Sequence, residues 1–141
     1  MNGVDYFFWL AGQSIQVGLM LMPSIALLAF LGLVIAFAAH INRPEAIKRK
    51  WRWLLLPFLI PIVILLYGVI FRYAGPRHSP ETTQRVLVLQ ILLWSHVPIA
   101  FIFTIFLRQN PLVPLGLSFF QFWLSLSTAA MAGMSVTGNW L

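Results

Sequence analysis

The sequence contains no cysteine and very little negative charge. Disulfides, thiolate metal sites, iron–sulfur clusters and thiol catalysis all need cysteine, so this chain can form none of them. Asp and Glu together number 3 in 141 residues, against 9 Lys and Arg. The acidic residues are Asp5, Glu45 and Glu81. All three lie outside the long apolar runs, so transport driven by a buried carboxylate is not expected.

The charged side chains are too few to cover a surface that faces water. They make up 9% of the chain, whereas about 25% is typical of soluble domains. Hydrophobic residues make up 60%, which also excludes a disordered chain. The composition therefore predicts an integral membrane protein. The high isoelectric point of 10.9 reflects the scarcity of acids, so we expect no nucleic-acid partner.

Four apolar runs are each long enough to cross a hydrocarbon core of roughly 30 Å as a helix. We therefore predict an all-α, polytopic membrane protein with a single membrane domain and four transmembrane helices. The predicted spans are 16–41, 53–73, 85–107 and 112–135. The connecting segments are an outer interfacial segment 1–15 with a bend at Gly12 or Gly18, a basic inner loop 42–52, an outer loop 74–84, an inner turn 108–111 and an outer tail 136–141. Pro23 is expected to bend the first span near its outer end.

The basic residues predict an orientation, because cytoplasmic loops carry an excess of Lys and Arg. The loops after the first and third spans would share one side and hold six basic residues, against three on the other side. The six are Arg43, Lys48, Arg49, Lys50, Arg52 and Arg108, and the three are Arg72, Arg77 and Arg85. Both termini are then predicted to lie outside, with the chain in a bacterial inner (cytoplasmic) membrane.

The basic cluster in 42–52 has two interpretations that are compatible with each other. Its charges can serve only to orient the chain. They can also contact anionic lipid headgroups or an acidic partner at the cytoplasmic face. The residues concerned are Arg43, Lys48, Arg49, Lys50 and Arg52.

Small and polar residues recur at helical spacing in the first and fourth spans. Such stripes let helix backbones approach closely, and hydroxyl and amide groups can bond across to a neighbouring helix. Helix packing is the favoured interpretation, within this chain or against another hydrophobic subunit. A ligand or water path along the fourth helix is the alternative. The residues are Ala29, Gly32 and Ala36 in the first stripe and Ser118, Gln121, Ser125, Ala129 and Ala132 in the second.

His96 lies in the middle of the third span, where ionisable groups are expensive and are often functional. Because Pro98 removes a backbone donor, His96 or Ser95 could satisfy the carbonyl that is left open. Ligation of a tetrapyrrole or metal is the second interpretation, and proton transfer or catalysis is the third. A haem held by two histidines of this chain is not expected, since His40 and His78 lie at different predicted membrane depths from His96.

No catalytic constellation is present, so we expect a non-enzymatic protein without a metal site and without a resident cofactor. The favoured function is a small hydrophobic structural or assembly subunit of a larger membrane complex, with an energy-transducing complex as a candidate host. One alternative is a membrane anchor that binds haem or another pigment through His96. A further alternative is a carrier or enzyme for a lipophilic substrate such as a quinone or isoprenoid.

Overall fold

A computed structural model describes residues 2–21, 23–41, 51–72, 80–106 and 111–138. In this part of the chain every regular element is helical, which confirms the all-α prediction. The elements are α1 Gly3–Leu21, α2 Pro23–Ile41, a 3₁₀ segment η1 Trp51–Phe58, α3 Leu59–Ile70, α4 Pro80–Trp94, α5 His96–Phe106 and α6 Leu112–Thr137.

Two stretches are long and apolar enough to cross a membrane. They are Glu81–Phe106, which comprises α4 and α5, and Leu112–Thr137, which is α6; each has 26 residues. At 1.5 Å per residue each rises about 39 Å, more than a hydrocarbon core of roughly 30 Å. The helices α1 and α2 make a third candidate if the bent pair forms one span. These lengths support an integral membrane protein.

The chain turns between α1 and α2, inside the predicted first span 16–41 and at the proline where a bend of that span is expected. The two helices are inclined by 104°, and α2 begins at Pro23. Helix α1 continues through Gly12 and Gly18, the two positions at which a bend was expected. A glycine inside a helix weakens it by about 1 kcal/mol without ending it. Proline has no amide hydrogen and crowds the preceding turn, so it ends a helix far more effectively.

The helical stretch Glu81–Phe106 is interrupted at Ser95, between α4 and α5. Pro98 cannot donate a backbone hydrogen bond, so the Trp94 carbonyl lacks its usual partner four residues later. The Ser95 hydroxyl does not donate to the Trp94 carbonyl. It donates to the Leu92 carbonyl, at 2.6 Å. The interruption leaves His96 as the first residue of α5.

Helix α6 lies at the centre of the bundle and contacts all the other helices. Its closest approach is to α2, where Gly116 faces Gly32. A methyl group on Gly32 would lie 3.2 Å from the Gly116 carbonyl oxygen, and a methyl group on Gly116 would collide with the Gly32 carbonyl oxygen. The two backbones can come this close only because both facing residues are glycines.

Small residues also mediate the contacts of α6 with α1 and α3. A methyl group on Gly18 of α1 would collide with the Ser127 hydroxyl, and one on Gly68 of α3 would lie 2.9 Å from the Ala132 methyl carbon. The buried apolar residues form several small clusters along α6. One of them joins Leu10 of α1 and Met131 of α6. The sequence therefore builds its core around one helix.

Candidate functional site

The interior of α6 is polar for a helix of this length in a membrane protein. Gln121, Ser125, Ser127, Thr128 and Ser135 are all buried. Where no water is available, such groups must find partners within the protein. Ser127 and Thr128 donate to carbonyls of their own helix, at 2.9 and 3.0 Å. Ser125 and Ser135 instead reach other helices, and each forms a polar site between helices.

The first site pairs Ser125 of α6 with His96 of α5. The Ser125 hydroxyl lies 3.3 Å from His96 Nε2, and the exposed fractions of the two residues are 0% and 2%. The imidazole and Phe122 rings make a T-shaped contact, with centroids 6.2 Å apart and planes inclined by 73°. This pair links α5 to the central helix by a hydrogen bond in an apolar environment.

The other ring nitrogen of His96 has no hydrogen-bond partner. The Leu93 carbonyl approaches the imidazole, but no acceptor satisfies hydrogen-bond geometry at Nδ1. A neutral imidazole has one donor and one acceptor nitrogen, so Nδ1 offers whichever role Nε2 does not use. Leaving such a group unsatisfied in an apolar interior costs about 1–3 kcal/mol. Trp123 Nε1 is the other buried side-chain polar atom without a partner among the described residues.

A groove of about 270 Å³ runs beside His96 between α5 and α6 and is open on one side. Its walls are almost wholly apolar. They include His96 and Ala100 of α5 and Leu115, Ser118, Phe119 and Phe122 of α6. Leu115 and Phe119 also belong to the exposed apolar surface of the bundle, so the groove meets the surface that lipid would cover. His96 thus lines the groove, but its Nδ1 atom is itself buried. Trp123 lies in a cluster with Ala26 and Ala29.

The His96–Ser125 pair does not have the arrangement of a hydrolase. A serine nucleophile needs access to substrate and a base that a third group holds in orientation. Ser125 is fully buried, and no acceptor orients His96 through Nδ1. Among the described residues no group of three His, Cys, Asp or Glu side chains could hold a metal ion. The described residues around this pair therefore show no arrangement for acyl transfer.

The second polar site joins three helices at one end of the bundle. Ser135 Oγ of α6 donates to the Gly68 carbonyl of α3 at 2.8 Å. Because Ser135 has a single hydroxyl hydrogen, the Tyr6 hydroxyl of α1 must donate to Ser135 across their 2.7 Å contact. The Arg72 guanidinium lies 4.7 Å above the Tyr6 ring, and Trp9 stacks on the same ring at 5.6 Å. Sequence reasoning did not anticipate this network. The only signal was that Ser135 continues the spacing of the α6 stripe.

All residues of the two predicted small-residue stripes lie within the described part of the chain. In α2, Ala29 and Ala36 are buried in clusters with residues of α6, and Gly32 lies at the Gly116 crossing. In α6, the stripe residues have three kinds of surroundings. Gln121, Ser125 and Ala132 are buried, Ala129 packs at the edge of a cluster, and Ser118 lines the groove.

The predicted basic cluster falls largely outside the described residues. This is true of Arg43, Lys48, Arg49 and Lys50. Arg52 belongs to η1, but its side chain is not among those described. The same holds for His40 of α2, and His78 lies outside the described ranges. The structure therefore brings His96 together with Ser125 and the groove, and adds nothing on the other two histidines.

Comparison of the chain with protein families, with curated proteins and with solved structures finds no match.

Proposed function

We propose that this chain is a small hydrophobic structural subunit that packs within a larger membrane complex. The observation that carries the proposal is the distribution of polar and apolar groups. The polar side chains of α6 are buried and take part in bonds within the bundle, while the surrounding helices expose large apolar side chains. Polar chemistry in this protein thus serves helix packing, and an extended apolar surface is left for lipid or for other hydrophobic subunits.

The proposal includes four membrane crossings. Besides the two long spans, η1 and α3 together cover Trp51–Ile70. Eight 3₁₀ residues and twelve α-helical residues rise about 34 Å, which is sufficient for a crossing. The bent pair α1 and α2 supplies the remaining one. The excess of basic residues in 42–52 supports an orientation with both termini outside, in the inner membrane of a bacterium.

The basic segment 42–52 is proposed to contact anionic lipid headgroups. Five Lys and Arg residues next to a single Glu give it a strong positive charge. Each such residue near an anionic surface contributes about 1 kcal/mol of attraction. The same charges would also suit an acidic face of a partner subunit.

A non-enzymatic role agrees with the composition of the helices that pack around the groove. Helices α5 and α6 contain no Asp, Glu, Lys or Arg, so they carry no charged acid, base or ion ligand. The one titratable side chain among them is His96. We therefore propose neither a reaction nor a resident cofactor.

The haem-anchor alternative has one observation in its favour, the unsatisfied Nδ1 of His96. Two observations weigh against it. The adjacent groove of about 270 Å³ is small for a four-ring pigment, and Nε2 is already bonded to Ser125. A visible absorption spectrum of the purified protein distinguishes this alternative from the subunit proposal. The carrier alternative draws on the same groove.

The test is to purify the chain with a small tag, expressed at its native level, in mild detergent and to run it on a native gel. The expected result is a large band of fixed subunit stoichiometry without absorbance in the visible range. A band the size of a monomer or dimer would contradict the subunit proposal. A Soret band that His96→Ala abolishes would support the haem anchor in its place.

The proposed topology can be tested independently with introduced cysteines, because the chain has no cysteine of its own. Single cysteines introduced as Asn2→Cys, Lys48→Cys, Arg77→Cys and Gln109→Cys are exposed to a maleimide that does not cross membranes. Asn2→Cys and Arg77→Cys should react in intact cells, and the other two only after the membrane is opened. Reaction of all four from one side, or the reverse pattern, would overturn the proposed orientation.

A further inference from the structure

We propose that the end of the bundle at which Tyr6, Arg72 and Ser135 meet binds the phosphodiester group of a membrane phospholipid, through the guanidinium of Arg72. Such a site requires a bundle that spans the membrane. It does not depend on the subunit proposal, because all the residues concerned belong to this chain.

The site lies where three helices reach the same end of the bundle. Helix α1 begins at Gly3, α3 ends at Ile70 and α6 ends at Thr137. Arg72 follows the end of α3 by two residues, and its side chain is exposed. Because apolar helices end here together, the boundary of the hydrocarbon core falls close to Arg72, and the phosphates of phospholipids lie just outside that boundary.

An aromatic ring holds the Arg72 guanidinium in position. Its Cζ atom lies 4.7 Å from the centre of the Tyr6 ring, and Trp9 stacks on the same ring with centroids 5.6 Å apart and planes inclined by 22°. Tyr6 is only 5% exposed, and its hydroxyl is bonded to Ser135, so the ring is a fixed support. The contact with the ring is electrostatic and leaves guanidinium N–H groups for an oxygen acceptor. A phosphate matches them well, because arginine binds it through two parallel hydrogen bonds.

The charge of Arg72 has no carboxylate partner among the described residues. Asp5 is exposed on α1 but forms no ion pair with Arg72, and Glu81 pairs with Arg85 at 3.4 Å. Arg72 is therefore a cation at the boundary of the membrane without an anion of its own. The phosphodiester of a phospholipid supplies an anion at that depth, and its acyl chains would cover the apolar side chains around the helix ends.

Arg85 provides a comparison at the same end of the bundle. Its Cζ atom lies 5.5 Å from the centre of the Phe71 ring, so it also contacts an aromatic ring. It differs from Arg72 because Glu81 already neutralises its charge. If an unpaired guanidinium on a ring makes the site, loss of Arg72 should affect lipid binding far more than loss of Arg85.

The test is native mass spectrometry of the full chain in detergent, titrated with dioleoylphosphatidylglycerol. Dioleoylglycerol, which has the same acyl chains but no phosphate, should bind about tenfold more weakly. Ammonium phosphate should displace the phospholipid no better than ammonium acetate of equal ionic strength. Equal binding of the two lipids would overturn the proposal, since only acyl chains would then be recognised. Selective displacement by ammonium phosphate would overturn it as well, since the site would then bind the free ion.

Two arginine variants separate a specific site from the effect of net charge. Arg72→Gln should weaken phospholipid binding by about tenfold, as expected for lost charge-assisted hydrogen bonds. Arg85→Gln removes one positive charge from the same end and should bind within about twofold of the wild type. An equal loss of affinity in the two variants would contradict a site at Arg72, because net charge alone would then explain the binding.

Two variants of Tyr6 test the role of the ring. Both Tyr6→Phe and Tyr6→Leu remove the hydroxyl that is bonded to Ser135, but only Tyr6→Leu removes the ring beneath Arg72. Tyr6→Phe should bind phospholipid like the wild type, and Tyr6→Leu about threefold more weakly. Equal affinities of these two variants would contradict the role given to the ring.

The arginine variants decide the proposal even if Tyr6→Leu does not fold, because the Arg72 side chain is exposed and its replacement leaves the buried contacts in place. None of these results bears on the native-gel test. Failure of the phospholipid site and failure of the subunit proposal can therefore be told apart.

Discussion

The two helical stretches of spanning length have opposite surroundings. In the most apolar part of Leu112–Thr137, 44% of the residues are buried within the protein, whereas the figure for Glu81–Phe106 is 11%. The more apolar stretch is the one on the outside, and the stretch with five buried serine, threonine and glutamine side chains is at the centre. In a bilayer, lipid replaces water as the exterior, so polar groups gain by facing inward.

This contrast assigns different roles to the two stretches. Helix α6 supplies the close backbone contacts and the hydrogen bonds between helices, so it determines how the bundle assembles. The pair α4 and α5 contacts the bundle along one side and exposes large apolar residues such as Phe101 and Ile105. We therefore expect substitutions at the contacts of α6 to be far more damaging than comparable ones on α4 and α5.

The largest effect is expected from Gly116→Ala in α6. The added methyl group meets the Gly32 carbonyl oxygen, which is backbone and cannot move aside, so α2 must shift. We expect the free energy of unfolding to fall by about 3 kcal/mol. The measurement is reversible unfolding in mixed detergent micelles. Gly133→Ala in the same helix is the control, because its added methyl group meets nothing within 4 Å. Equal stability of the two variants would show that the α2–α6 crossing is not close.

The next effect is expected from Ser135→Ala. It removes the donor to the Gly68 carbonyl and the acceptor for the Tyr6 hydroxyl. Two buried groups are then unsatisfied, and the loss should be about 2 kcal/mol. Thr104→Val on α5 is the matched change, since the Thr104 hydroxyl bonds only a carbonyl of its own helix, that of Ala100. Its effect should stay within about 0.5 kcal/mol. An equal loss of stability in both variants would contradict the difference expected between α6 and the outer helices α4 and α5.

A smaller effect is expected from the coupling between His96 and Ser125. A double-mutant cycle with His96→Leu and Ser125→Ala removes each partner separately and then both together. The double variant should lose about 1 kcal/mol less stability than the sum of the two single losses. The cycle is measured by the same unfolding assay. Additive effects would mean that the 3.3 Å contact contributes nothing to holding α5 against α6.

The smallest effect is expected at the exposed start of α4. Glu81 and Arg85 form an ion pair at 3.4 Å, one helical turn apart. Glu81→Gln removes the pair but leaves the Arg85 guanidinium over the Phe71 ring at 5.5 Å. Stability should change by less than about 0.5 kcal/mol, since exposed pairs of this kind contribute little. A loss comparable to that of Ser135→Ala would show that α4 is more tightly bound than its exposure indicates.

The sequence was sufficient to locate the two stretches of spanning length. The apolar run 112–135 begins at the same residue as α6, and the run 85–107 falls on the stretch Glu81–Phe106. Such runs are recognised by their length and hydropathy, and both can be read from a short stretch of the sequence. A bend at Pro23 was expected, but only as a kink inside the first span, because proline is also common inside transmembrane helices and Gly12 and Gly18 offered competing positions for the turn.

The candidate site could be anticipated only in part. His96 was singled out by its depth, and Ser125 by its place in a stripe, but no local pattern pairs residues 29 positions apart. The sequence likewise did not show which residues face the glycines across the helix contacts. Gly32 was expected to pack closely, yet Gly116 was not named as its counterpart, since helical periodicity gives the face of a residue and not what faces it.

The most direct test of the contrast between α6 and the pair α4–α5 is the oxygen accessibility of spin labels in lipid nanodiscs. Because the chain has no cysteine, labels can be introduced one at a time through 81–106 and 112–137. Oxygen concentrates in the hydrocarbon core, so its collision rate reports contact with lipid. We predict high rates at most positions of α4 and α5, including 101 and 105, and low rates at 121, 125, 132 and 135 of α6. Equal accessibility of the two stretches, or higher values along α6, would contradict a bundle organised around α6.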